Sequence, residues 1–85
     1  LKITIEQGST VVDVRTPAEY AGGHYAGATN IPLQELPGRL SELGDKTKSV
    51  VVYCASGIRS AHAARMLAAA GFTDVTNAGG LSALK

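Results

Sequence analysis

The sequence predicts an α/β fold: a small parallel sheet flanked by helices on both faces. Two segments, residues 11–14 and 50–53, are β-branched and apolar almost without interruption. Strands of a parallel sheet are covered on both faces and read this way, whereas half-exposed strands alternate. The segments between them carry helix signals, and strands separated by helices define the α/β class. At 85 residues the chain suffices for one core and not two, so residues 1–85 read as a single domain.

The elements follow in order. Leu1, Ile3 and Ile5 alternate with Lys2, Thr4 and Glu6, the period of a half-exposed strand. Gln7, Gly8 and Ser9 form a turn before the strand over residues 11–14. Thr16, Pro17 and Glu19 then supply an N-cap, a first-turn proline and a capping-box partner. Gly22 and Gly23 end that short helix, and residues 28–32 read as a brief strand. Leu33, Leu36, Leu40 and Leu43 recur at three- and four-residue intervals, which predicts a second helix over residues 34–43 with Pro37 near its start. Gly44, Asp45 and Lys46 terminate it. The strand over 50–53 leads to an alanine-rich helix over 60–70, with Ser60 as a natural N-cap and Gly71 as C-cap. Residues 73–77 form a last short strand, and Ala78, Gly79 and Gly80 turn into the tail.

Composition removes several function classes. Apolar residues make up 45% of the chain, which suits a packed aliphatic core. A net charge of +1 and the lack of any Lys/Arg run give no electrostatic footprint for nucleic acid. No apolar stretch reaches the length of a membrane span. A single cysteine rules out an internal disulfide and a cysteine-rich metal site. His24 and His62 lack the spacing of a metal motif, so no metal site is expected. The chain starts at Leu1 without methionine and reads as a processed or excised piece, which leaves export open.

Chemistry concentrates at Cys54. This lone thiol follows an apolar strand and precedes the loop Ala55, Ser56, Gly57, Ile58, Arg59, which runs into a helix at Ser60. Loop amides, the helix N-terminus and the Arg59 charge converge there and favour thiolate, the reactive form. A bare strand cysteine is more often an inert core thiol; Gly57, the hydroxyls of Ser56 and Ser60 and the guanidinium of Arg59 argue for a nucleophile beside an anion pocket. Ser60 also has a purely structural explanation as a cap. Ile58 is expected at the rim in contact with substrate. Asp13, Arg15 and Glu19 are expected to form an ion-paired scaffold. His24 is expected to bond to backbone, and a Cys54–His62 dyad stays open at this level. Met66, Leu67 and Phe72 read as core.

The motifs resemble the rhodanese family. Asp13-Val14-Arg15, Glu19-Tyr20, Gly23-His24, Gly27-Ala28 and Asn30-Ile31-Pro32 are similar to its amino-terminal signature. Val52 through Ser60 resembles its active-site loop, and Gly71-Phe72, Val75 and Asn77 through Leu81 its closing segment. The compact length is most similar to single-domain members of the phage shock protein E type. Two departures stand out: a clipped opening segment, and no tryptophan after the Gly79-Gly80 pair. The resemblance implies a thiosulfate sulfurtransferase with Cys54 as persulfide carrier and residues 55–60 binding substrate, without cofactor. It implies small sulfur-containing anions and thiol acceptors as partners, with a thioredoxin-like protein as one candidate, and a monomer. It leans towards the bacterial periplasm, with the cytoplasm as alternative. Phosphatase-type loops place five residues between cysteine and arginine, whereas four lie between Cys54 and Arg59. That shorter ring suits a sulfur atom better than a phosphoryl or arsenate group. The alternatives are a phosphatase or arsenate reductase of related fold, or a non-catalytic rhodanese-like module for sulfur relay or protein binding.

Overall fold

Valine builds the centre of the sheet because its β-branched side chain packs well on a pleated surface covered from both sides. In the computed structural model, which describes residues 8–83, four strands lie side by side: β1 (Thr10–Asp13), β2 (Thr29–Asn30), β3 (Val50–Cys54) and β4 (Val75–Gly80). Their order is β2-β1-β3-β4 and every pair is parallel. The strand expected over residues 1–6 lies outside the described residues.

The two-residue period of β3 divides the core. Val50, Val52 and Cys54 join Val12, Val14, Ile31, Leu36, Ala63, Leu67 and Phe72 on one face. Val51 and Tyr53 join Val11, Ala28 and Ala78 on the other, with Tyr20, Tyr25 and Leu81 packed against them. Helix α1 (Pro17–Ala21) therefore contributes to one face through Tyr20, and α2 (Ile58–Ala69) to the opposite one. β1 sits between β2 and β3, so the chain leaves β1 in one direction and returns to its other side. Ligands of open α/β sheets bind at that switch point, beyond the carboxyl ends of the strands. Asp13 and Cys54 end the two strands concerned.

The capping box at α1 forms as expected. Glu19 N–H donates to Thr16 Oγ1 at 3.2 Å and Thr16 N–H donates to Glu19 Oε1 at 3.0 Å. Four other expectations change. Residues 34–43 do not form one α-helix; two 3₁₀ helices, Leu33–Gly38 and Leu40–Leu43, replace it. Pro37 lies inside the first and supplies no N–H to either ladder, and the bonds that form span three residues, such as Arg39 N–H to Leu36 O at 3.0 Å. Leucines three apart still share a face within each piece, and Leu36 and Leu43 are buried. α2 starts two residues earlier than expected, with Gly57 as N-cap at φ 100° and Ser60 in the first turn. It closes on Ala70, with Gly71 taking the left-handed conformation just after. Finally, Ala78, Gly79 and Gly80 are strand rather than turn. Val52 pairs with Asn77 and Cys54 with Gly80, so β4 carries one extra residue, a bulge at left-handed Gly79.

Candidate active site

β3 delivers Cys54 to the face covered by α2, and the chain then turns through Ala55, Ser56 and Gly57 into that helix. The turn folds the loop amides back over the sulfur. Gly57 N–H donates to Cys54 Sγ at 2.9 Å and Ser60 N–H at 3.4 Å. Ser60 Oγ lies 3.6 Å from the sulfur. Burial pushes the Cys54 thiol up. The Ser60 hydroxyl and the amides of Ser60, Gly57 and Ser56 act against it, and together they prevail: the thiol ionises below its ordinary value. The lowering comes from hydrogen bonds; Arg59, which the sequence placed among the causes, is engaged by Glu19 instead.

Each expected site residue has a definite place. Ala55 and Ser56 are exposed on the loop, Gly57 is half-buried, and Ile58 stands 69% exposed at the rim. Ser60 is fully buried against the sulfur. Arg59 is not free towards solvent: Nη1 and Nη2 fork onto the two carboxylate oxygens of Glu19 at 2.8 and 3.0 Å. Glu19 is the member of the expected scaffold that reaches α2. Hydrogen bonds from Arg59, and from the Thr16 amide, hold its carboxyl down at about 2. The other two pair with each other, Arg15 Nε and Nη2 meeting the buried Asp13 carboxylate at 2.7 to 3.0 Å. Tyr53 completes that network by donating its hydroxyl to Asp13 Oδ2 at 2.8 Å.

Neither histidine joins the sulfur. His24 stacks on Tyr20 with ring centroids 3.7 Å apart, its Nδ1 2.9 Å from the Tyr20 carbonyl. His62 is exposed on α2 beside Arg65. The Cys54–His62 dyad is absent from this arrangement.

Sequence reasoning missed the far wall of the site. The Ser60 hydroxyl donates to Asn77 Oδ1 at 2.6 Å, and Gly79 N–H donates to the same oxygen at 2.9 Å. A Cβ on Gly80 would stand 2.6 Å from the Ala55 carbonyl oxygen, and one on Gly57 3.3 Å from Gly79 Cα. The glycine pair was visible in the sequence. Its bulge, which turns Asn77 and Gly79 towards the loop, was not.

Such a thiol, with amides converging on it at the carboxyl edge of a parallel sheet, is an arrangement for carrying a nucleophilic sulfur. Comparison with known proteins agrees. The family model "Rhodanese-like domain" matches residues 1–85, and the chain belongs to that family. It is 45% identical over 71 residues to thiosulfate sulfurtransferase PspE of Escherichia coli, covering 82% of this chain and 68% of that protein. It is 43% identical over 67 residues to a sulfurtransferase of Allochromatium vinosum, covering 79% of this chain and 62% of that one. Among solved structures, a rhodanese with anions from E. coli superimposes with a TM-score of 0.86 at 42% identity, covering 89% of this chain and 91% of that one. The chain thus spans about two thirds of the length of these two curated relatives.

Proposed function

We propose that this chain is a single-domain sulfurtransferase that moves sulfane sulfur from thiosulfate, or a donor of the same chemistry, to a thiophilic acceptor through a persulfide on Cys54. The observation that carries this reading is the Cys54 sulfur held by the Gly57 and Ser60 amides at 2.9 and 3.4 Å. Relatives named as sulfurtransferases support it.

The Cys54 thiolate attacks the outer sulfur of thiosulfate. The S–S bond of the donor breaks, and sulfite leaves with the bonding pair. The persulfide anion now rests among N–H groups already oriented for negative charge, so little reorganisation accompanies the step. Cyanide or an acceptor thiolate then attacks the terminal sulfur and returns Cys54 as thiolate; a thioredoxin-like protein is an acceptor of this chemistry. Ala55, Ser56 and Gly57 shape the loop, Ile58 lines its rim, and Arg59 recruits the sulfonate. Because Glu19 holds Arg59 at rest, the donor shares or displaces that carboxylate.

The test is an intact mass after thiosulfate treatment, before and after cyanide. A gain of one sulfur that cyanide reverses is expected, and Cys54→Ser should show neither the gain nor thiocyanate formation. An unmodified mass in the parent protein, or turnover in the serine variant, would remove Cys54 as the carrier.

A further inference from the structure

Ser60 has one hydroxyl proton and four neighbours that could take it. Asn77 Oδ1 lies at 2.6 Å, the Gly57 carbonyl at 3.1 Å, the Gly79 carbonyl at 3.4 Å and Cys54 Sγ at 3.6 Å. The orientation of the Asn77 amide is set independently. Gly79 N–H donates at 2.9 Å to the same atom, which must therefore be the oxygen, an acceptor that can only draw the Ser60 proton towards itself. With the proton on that 2.6 Å bond, a lone pair of Ser60 Oγ faces the sulfur. That arrangement accepts from a thiol S–H and repels a thiolate.

We propose that Asn77 is a positioning residue for sulfur transfer: it competes with Cys54 Sγ for the single proton of the Ser60 hydroxyl. While Cys54 is a thiol, the chain S–H to Oγ and Oγ–H to Oδ1 is satisfied throughout. When the sulfur becomes an anion, its proton passes to solvent and the Ser60 hydroxyl rotates onto the sulfur. Asn77 Oδ1 then keeps the Gly79 N–H and gives up Ser60. Asn77 is exposed and Ser60 is fully buried, so a surface side chain governs a proton that the nucleophile needs. The charged group next to the sulfur is Arg59 of α2, paired with Glu19 of α1, whereas Arg15 and Asp13 pair beside Tyr53 on the other face of the sheet. β4 contributes no charged residue. Asn77 therefore acts through Ser60 and not through charge.

This inference rests on Cys54 being the carrier, but its test reads the thiol itself and needs no sulfur transfer. The measurement is the rate of carbamidomethylation by iodoacetamide against pH, on the reduced protein. Asn77→Ala removes the shortest of the three oxygen contacts that hold the Ser60 proton away from the sulfur, leaving only the longer ones to the Gly57 and Gly79 carbonyls. At pH values below the titration midpoint it should alkylate about threefold faster, since the thiolate fraction there follows the acidity constant directly. In a Ser60→Ala background the same substitution should change nothing. Asn77→Asp keeps both acceptor bonds and strengthens the pull on the hydroxyl. It should slow alkylation by a larger factor with Ser60 present than with alanine there. Equal or slower alkylation in Asn77→Ala, or the same acceleration with and without Ser60, would overturn the proposal. The mass test above can succeed or fail regardless of either result.

Discussion

Cys54 shows how much one residue owes to its surroundings. It is fully buried, which on its own would keep the thiol neutral, yet hydrogen bonds from Ser60, Gly57 and Ser56 outweigh that effect. Alkylation of the reduced protein should accordingly stay fast at neutral pH and slow only as acid protonates the sulfur. A titration midpoint at the ordinary cysteine value of about 8.5 would contradict this. The proposed nucleophile was legible in the sequence because a lone cysteine, a glycine-bearing loop and an arginine at a helix start form a local pattern. The Ser60–Asn77 bond was not, since it joins residues from two elements and depends on a bulge that leaves no mark beyond two glycines. Arg59 falls between these cases: its place beside the loop was legible, and its partner Glu19, forty residues away, became specific only in three dimensions.

At the scale of elements, the Glu19–Arg59 pair ties the start of α1 to the first turn of α2 across the carboxyl edge of the sheet. Both side chains are about one third exposed, so the pair adds little to stability and matters more for where Arg59 points. Arg59→Ala should cost about ten- to a hundredfold in kcat/KM for thiosulfate, as loss of a charge-assisted contact implies, and Arg59→Lys should recover part of it. Glu19→Gln keeps a side chain able to complete the capping box and frees the guanidinium for the donor. It should lower KM for thiosulfate severalfold with little change in kcat; an unchanged or higher KM would show that Glu19 does not compete with the donor. The folded Glu19 ionises at about 2 against an ordinary 4.5, so the pair's contribution is complete above 4.5 and fades as pH falls towards 2. Most elements were legible because their signals are local, as with the capping box at Thr16 and the valine runs. The helix over residues 34–43 was misjudged because leucine spacing alone does not separate an α-helix from two 3₁₀ turns. Pro37 lies in that stretch, and a proline near a helix start is ordinarily tolerated, so it gave no warning.

For the whole molecule, the Tyr53 hydroxyl joins the two central strands to the loop that follows α1. It donates to Asp13 Oδ2 at 2.8 Å and accepts from Tyr25 N–H at 2.9 Å. Tyr53→Phe would strand that amide and remove one bond to Asp13, at a cost of about 1–3 kcal/mol. In a chain of this length that corresponds to a fall in melting temperature of about 4 °C or more, to be read by thermal denaturation. A melting temperature within one degree of the parent would mean the network contributes nothing net. The backbone of β4 also runs against the back of the cysteine loop, with room for no side chain at Gly80. Gly80→Ala should push the Ala55 carbonyl outwards and displace the amides around the sulfur, with a loss of sulfur transfer of about a hundredfold. Activity near that of the parent would show that the loop yields without harm. The same contact acts as a gauge on loop circumference. An extra residue between Cys54 and Arg59 could not be taken up towards β4 and would have to spill into solvent. Lengthening the loop would therefore widen it on the solvent side, away from β4.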